Sequence, residues 1–334
     1  MRADPPGAAG KNSARKETFC AALEQAEQLF TAAKVTDAMV RPLLVYYGLN
    51  QAGRAIAAAA SSVPDRDQQP GARAEPWKLT GHGLKIVGRS AAMNGPDVAS
   101  LVLVDEGSGA FPHLAEILGS GSLPARTPDS AAEPVTVGQL WATLSDTVEF
   151  DLPGPVGLPV LAFDADGPPV HGQEWARLHG IPARIFEEQD QQSALRDFLN
   201  CYPTLGAFGI PAFDRRVDWA ALLGMPAVRI FWNAEAPVAG QLTKSLEARV
   251  ATRYRGQHFV YPALGDSAKP LHPFLAWWAV LYALSMLARY EPCAWQKRTN
   301  IDTSKEAAAI EHLLDAALEF LPRVIMDTID EVTQ

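Results

Sequence analysis

Cysteine is scarce in this chain, and its metal-binding residue types are scattered. The 334 residues contain three cysteines, Cys20, Cys201 and Cys293, which lie far apart and form no CxxC pair. This usage is typical of a reducing compartment and excludes a disulfide framework or a cysteine zinc knuckle. The seven histidines form neither an HExxH nor an HxH motif. The sequence therefore predicts a cytoplasmic protein without a metal ion or another cofactor.

Basic residues are also fewer than acidic residues. The chain has 29 Lys and Arg against 38 Asp and Glu, so its formal net charge is −9. This balance argues against a surface built broadly for the phosphates of nucleic acids, and it leaves open a local basic groove assembled by folding. The first residues, MRADPPGAAGKNSARK, lack the apolar segment of a secretion signal.

Motifs for nucleotide binding and nucleophilic catalysis are missing as well. The segment GHGLKIVG at Gly81–Gly88 is neither GxGxxG nor GxxxxGK, and no GxSxG occurs. Arg253 and His258 have the R-x4-H spacing of HEPN-type ribonucleases, in which both side chains face a cleft from a helix. Here Gly256 lies inside the spacing, within a predicted hairpin, and so short a motif also arises by chance. The pair is therefore a subordinate candidate.

The chain does contain one long apolar run, LHPFLAWWAVLYALSMLARYEPCAW at Leu271–Trp295. Pro273 is suited to a first helical turn, and Pro292 disfavours helix in the residue before it. A helix between them has no polar face, which indicates either a buried core helix or a membrane span. A span would place Trp277 and Trp278 inside the hydrocarbon, whereas spans carry such rings at the interfaces. We therefore predict a core helix and no membrane association.

Helical patterns at both ends of the chain flank a middle rich in strand patterns. Residues 1–13 are predicted to be a disordered tail, and residues 14–334 a single α+β domain. Its helical parts are 14–60 and 273–330, its strand-rich part is 77–262, and the terminal helices are expected to pack together around the central apolar helix, 273–291.

Several local features are predicted within this arrangement. A short helix is expected at Glu174–His179 and a hairpin turning at Arg255–Gly256. Thr136 is expected to cap a brief helix. Thr303 and Glu306 have the spacing of a capping box, which would begin the last helix, and Pro322 would kink or end it.

Polar residues embedded in two apolar helices are the strongest candidates for a site. Tyr47, Asn50 and Arg54 share one stripe of the second helix, and the central helix carries a similar stripe that ends at Arg289. If the stripes meet, they form a pocket in which Arg289 holds an anionic ligand. The alternative, which we favour at this point, is that Arg289 pairs with Glu291 and clamps the helix end, because structural ion pairs imitate sites.

Three segments carry a family resemblance. LSMLARYEPCAW (Leu284–Trp295), RPLLVYYGLNQAGRAI (Arg41–Ile56) and the step from His82 to Leu84 resemble the YaaC-like protein family of bacteria. The resemblance extends from Thr18 to Ile329 and implies no particular reaction. It draws attention to Tyr46, Tyr47, His82, Arg289, Tyr290, Glu291 and Trp295.

These observations favour a soluble cytoplasmic binding or interaction protein. Its partner would be an unknown protein or a small anionic ligand, and oligomerisation is left open. The alternative is a nuclease or nucleotide-acting effector of a bacterial antiphage defence system, so enzymatic activity is also left open. The candidate polar cluster comprises Tyr46, Tyr47, Asn50, Arg54, His82, Arg289, Tyr290, Glu291 and Trp295.

Overall fold

The structure, a computed structural model, describes residues 1–66, 75–88, 95, 97–125, 133–148, 150, 152–154, 157–211, 227–234 and 244–334. In these ranges the chain forms helices and two antiparallel sheets, which is the α+β class predicted from the sequence. It divides into two compact units. Unit 1 comprises Met1–Gly157, Leu264–Ser267 and Leu271–Gln334, and unit 2 comprises Leu158–Ala263 and Ala268–Pro270.

Unit 1 is built on helices from both ends of the chain. Helix α1 (Ser13–Ala33) packs along α2 (Arg41–Ala59), and the side chain of Asn12 caps α1 by accepting from the N–H groups of Ala14 and Arg15. Helix α2 also packs against two C-terminal helices, whose bounds are given below. The predicted association of the terminal helical parts is therefore confirmed.

Helix α7 (Pro273–Tyr290) is the core helix of unit 1. It begins where the ring Nδ1 of His272 accepts a hydrogen bond from the N–H of Phe274, and it ends just before Pro292. Every residue from Pro273 to Ala288 is buried. An all-apolar helix is stable in water only inside such a core. Among the described residues, no helix is long and apolar enough to cross a membrane.

Helices α8 (Pro292–Thr299) and α9 (Ala307–Thr333) complete the C-terminal part. Helix α9 continues through Pro322, so this proline does not end it. The predicted capping box is wrong: α9 begins after Glu306, whose side chain makes no capping bond. Its carboxylate instead accepts from the N–H of Val98 and pairs with Arg298.

A three-stranded antiparallel sheet lies in unit 1. Its order is β1 (Leu84–Ile86), β2 (Val102–Asp105) and β3 (Val135–Thr136). Helix α3 (Ala110–Ile117) follows β2, and α4 (Val137–Trp141) follows β3. Thr136 and Gln139 form a capping box at the start of α4, which confirms the predicted cap.

Unit 2 has a five-stranded antiparallel sheet in the order β6-β5-β4-β8-β7. The strands are β4 (Leu161–Ala165), β5 (Gln173–His179), β6 (Ala227–Asn233), β7 (Thr252–Tyr254) and β8 (Gln257–Val260). Helices α5 (Gln191–Leu199) and α6 (Leu246–Val250) also belong to this unit. One sheet face and α5 bury a core of their own, which explains why the strand-rich part forms a separate unit.

Two predictions about local structure have opposite outcomes. The helix expected at Glu174–His179 is strand β5, which pairs with β6 along its whole length and buries Ala176 and Leu178 on one face. The expected hairpin is confirmed, because β7 pairs with β8 across Arg255–Gly256. The run is too short for its period-2 alternation to be distinguished from a helical period in the sequence.

Part of the N-terminal tail packs against the rest of unit 1. Gly7–Gly10 form a 3-10 turn in which Ala9 is fully buried. Gly7 has φ +56°, and a Cβ there would lie 2.3 Å from the carbonyl oxygen of Ala59. The tail therefore packs on the C-terminal end of α2, an environment that its polar, proline-rich composition does not reveal.

Candidate functional site

Helices α2 and α7 cross closely at a glycine. A Cβ on Gly53 would lie 2.4 Å from Cζ3 of the fully buried Trp278. Glycine is needed here because the indole of α7 occupies the space of a side chain. The close crossing brings the polar stripes of the two helices together.

We call the resulting group of side chains the α2–α7 cluster. Helix α2 contributes four residues, α7 contributes three, and the segment before β1 contributes one. They are Tyr46, Tyr47, Asn50, Arg54, His82, Trp278, Tyr282 and Arg289.

Tyr46 is the centre of the cluster. It is fully buried, and its hydroxyl oxygen lies 3.0 Å from Nδ1 of His82. Its ring centroid is 5.5 Å from that of Tyr47, 6.3 Å from that of Trp278 and 5.6 Å from that of Tyr282. The last two contacts are edge-to-face, a favoured arrangement of aromatic rings.

The backbone on both sides of His82 is anchored. The carbonyl oxygen of His82 accepts from the N–H of Phe111 at 3.0 Å, and the carbonyl of Leu84 accepts from the Tyr282 hydroxyl at 2.7 Å. Gly83 and Gly109 meet so closely that a Cβ on Gly109 would lie 2.5 Å from the nitrogen of Gly83. Both glycines have positive φ. The imidazole is therefore held in place although it is exposed to solvent.

Arg289 does not clamp the end of α7. Its guanidinium is exposed, donates from Nη1 to the Tyr47 hydroxyl at 3.0 Å, and lies over the Tyr290 ring at 4.9 Å. Within the described ranges no carboxylate lies within 4.0 Å of this guanidinium, so the predicted pair with Glu291 is wrong. Glu291 leaves the helix with φ −131°, which takes its side chain off the stripe that carries Arg289.

Three buried donor atoms of the cluster lack partners. Nε of Arg54, Nδ2 of Asn50 and Nε1 of Trp278 have no partner of hydrogen-bonding geometry in the described part of the chain. Asn50 is only 6% exposed, so water does not readily replace a protein partner there. Buried polar atoms are rarely left unsatisfied, and each exception needs an explanation.

The protonation states in the cluster follow from burial and charge. Partial burial lowers the pKa of His82, the cations of Arg289 and Arg54 lower it further, and Glu106 opposes them. Burial raises the pKa of the Tyr46 phenol well above its usual value, and Tyr282 adds to this effect. At neutral pH the imidazole is therefore uncharged and the phenol keeps its proton.

Other candidate residues lie apart from the cluster. Trp295 is fully buried in α8, and its Nε1 donates to the carbonyl oxygen of Ala38, which ties α8 to the turn between α1 and α2. Tyr290 is 44% exposed beside Arg289. Trp295 therefore has a structural role, and Tyr290 lies at the edge of the cluster.

The R-x4-H pair has the wrong surroundings for a HEPN-type site. Arg253 and His258 are directly opposite each other on β7 and β8, in unit 2. The two residues lie on strands joined by a tight turn, whereas the motif requires a helix facing a cleft. The R-x4-H spacing therefore places the two residues on paired strands of a hairpin and not on one helix.

Sequence reasoning missed a buried ion pair and one charge near the site. Nη1 of Arg298 lies 2.6 Å from Oε2 of Glu306, and Nη2 donates to the carbonyl oxygen of Gly95 at 2.6 Å. This pair links α8 to the start of α9, which is the kind of clamp predicted for Arg289. No sequence signal marks it, and none marks Glu106, which acts on His82 from the end of β2.

The described residues contain no group of three or more His, Cys, Asp or Glu side chains that could hold a metal ion. The cluster is instead rich in hydrogen-bond donors: two guanidiniums, tyrosine hydroxyls and an imidazole. Such an arrangement can hold an anion, because guanidinium groups form charge-assisted hydrogen bonds with carboxylates and phosphates.

Comparison with known proteins places the chain in one family. No curated protein and no solved structure matches it. The family model described as YaaC-like Protein matches residues 2–329, which is nearly the whole chain and includes every residue of the α2–α7 cluster. The chain therefore belongs to the YaaC-like protein family.

Proposed function

We propose that this protein binds a small anionic ligand at the α2–α7 cluster. One observation carries the proposal: Arg54 and Arg289 both act electrostatically on His82, and in the described part of the chain neither forms an ion pair with a carboxylate. An anion from solution would supply the missing partner.

Other arginines of unit 1 make the contrast clear. Arg15 lies 2.7 Å from Asp65, Arg41 lies 2.6 Å from Asp315, and Arg298 lies 2.6 Å from Glu306. Each of these three arginines of unit 1 is paired with a carboxylate of the same unit. The arginines of the cluster break this pattern, as expected for side chains whose partner is a ligand.

The rigid surroundings of the cluster also support binding. The helix crossing at Gly53 and the anchored backbone around His82 hold the donors in position before a ligand arrives. Preorganised donors lose little conformational freedom on binding, which favours affinity. The three cysteines are all free thiols, which fits action in the reducing cytoplasm.

A thermal-shift experiment on the full chain tests the proposal. Melting would be followed with phosphate, sulfate, citrate or acetate, each compared with sodium chloride at equal ionic strength. We expect at least one anion to raise Tm, because a ligand that binds only the folded state stabilises it. Arg54→Gln and Arg289→Gln should abolish the rise.

The matched control is Arg323→Gln, which removes an exposed arginine of α9 paired with Asp327. It changes the net charge by the same amount as Arg54→Gln or Arg289→Gln but leaves the cluster intact, so the anion-dependent rise in Tm should persist in this variant. If no anion raises Tm beyond the chloride control, or if the rise survives in the Arg54→Gln, Arg289→Gln double variant, the proposed function is wrong.

A further inference from the structure

We infer that the anion held by the α2–α7 cluster is a phosphoryl group in its dianionic form, as in a phosphomonoester, and not a carboxylate. This inference rests on the proposed function and specifies its ligand.

The hydrogen bond between Arg289 and Tyr47 leaves both residues able to donate. Arg289 gives one N–H from Nη1 to the Tyr47 oxygen. A guanidinium has five N–H donors, so most of its donors remain available. Since the Tyr47 hydroxyl accepts this bond, its own proton is also free for an oxygen of the ligand.

The tautomer of His82 follows from the neighbours of Tyr46. The buried phenol keeps its proton and needs an acceptor. Among the described residues, the hydrogen bond of this hydroxyl joins it to a ring nitrogen of His82, which accepts when it carries no proton. Nδ1 of His82, at 3.0 Å, is therefore the acceptor. The proton of the neutral imidazole then lies on Nε2, which becomes a third donor beside the two arginines.

Three donor groups from three parts of the chain suit a phosphoryl group better than a carboxylate. Arg54 comes from α2, Arg289 from α7 and His82 from the segment before β1. A phosphomonoester presents three terminal oxygens arranged around phosphorus. A carboxylate presents two oxygens in one plane, which a single guanidinium already satisfies in a bidentate pair.

The charges around His82 also favour a phosphomonoester over a carboxylate. Two guanidiniums act on His82 together with one carboxylate, that of Glu106, so positive charge is in excess before a ligand binds. The phenol of Tyr46 is uncharged at neutral pH, because burial raises its pKa. A phosphomonoester carries close to two negative charges at neutral pH, whereas a carboxylate carries one. The dianion therefore gains more from the two cations.

A matched pair of probes tests the inference: phenyl phosphate and benzoate share a ring and differ in the anionic group. Affinities for the full chain would be measured by calorimetry at pH 7.5 and constant ionic strength. We expect phenyl phosphate to bind at least about tenfold more tightly than benzoate, the difference made by one additional charge-assisted hydrogen bond. Arg54→Gln and Arg289→Gln should each weaken phenyl phosphate by about tenfold or more, and Arg323→Gln should not.

The imidazole provides a second readout. His82→Gln keeps an N–H donor in place of Nε2, so it should retain more phenyl phosphate affinity than His82→Leu. Nitrogen NMR of the wild-type ring should show the Nε2–H tautomer. Because a bound dianion offsets the arginines, the pKa of His82 should rise when phenyl phosphate is added.

The outcomes separate this inference from the proposed function. Arginine-dependent binding of benzoate that equals or exceeds that of phenyl phosphate would overturn the phosphoryl ligand and leave anion binding intact. If neither phenyl phosphate nor inorganic phosphate binds, the inference is also overturned, and the thermal-shift series then decides whether any other anion is held.

Discussion

Replacing Arg298 with methionine should destabilise unit 1 by about 3–5 kcal/mol, the usual cost of removing one partner from a buried ion pair. The two side chains are only 9% and 8% exposed. Without Arg298, the carboxylate of Glu306 keeps only the N–H of Val98, and the carbonyl oxygen of Gly95 loses its donor. An unpaired buried charge then replaces a compensated one.

A double-mutant cycle isolates the interaction. Glu306→Gln keeps an acceptor for Val98 but leaves the guanidinium of Arg298 without a counter-charge, so it should also be strongly destabilising. The double variant should lose less than the sum of the single variants, because both remove the same interaction. Urea unfolding followed by tryptophan fluorescence, with linear extrapolation, measures each free energy.

Arg289→Met is the matched control for this cycle. It makes the same substitution at an exposed arginine, so the free energy of unfolding should change by no more than about 0.5 kcal/mol. If Arg298→Met is equally mild, or if the two single variants are additive, the pair does not hold unit 1 as the structure indicates.

Two further predictions concern the α2–α7 cluster. Gly53→Ala should destabilise the fold by about 1–3 kcal/mol, because the new Cβ would meet Trp278 at 2.4 Å and this overpacking outweighs the better helix propensity of alanine. Unchanged urea unfolding, or no recovery of stability when Trp278→Leu is added, would contradict the close crossing. Arg289→Met should raise the pKa of His82, because a cation that disfavours the protonated ring is removed. Proton NMR titration of the imidazole measures this value, and a pKa that stays constant or falls would show that Arg289 does not act on the ring.

Local sequence signals predicted much of the fold. Proline at both ends and a continuous apolar run defined α7 to within a residue of its bounds, because proline acts on the backbone of its own turn. The cap at Thr136 and the turn at Arg255–Gly256 were also predicted from local residues. In each case the residues that decide the structure lie within a few positions of one another.

The residues that form the α2–α7 cluster were predicted in part in the same way. Helical spacing places Tyr47, Asn50 and Arg54 on one face, and the structure brings that face against α7. Spacing could not show that Tyr47 would be the partner of Arg289, because α2 and α7 are separated by most of the chain. The two stripes therefore meet, and the predicted ion pair of Arg289 with Glu291 is wrong.

The amino-acid sequence by itself determined the fold class, the core helix, the family and the two polar stripes, because each depends on composition or on neighbours along the chain. Only the tertiary structure decided that Tyr46 meets His82, that Arg298 pairs with Glu306, and that the chain forms two units. Those outcomes depend on which distant side chains become neighbours when the helices pack. Burial then decides which charges must be compensated within the fold.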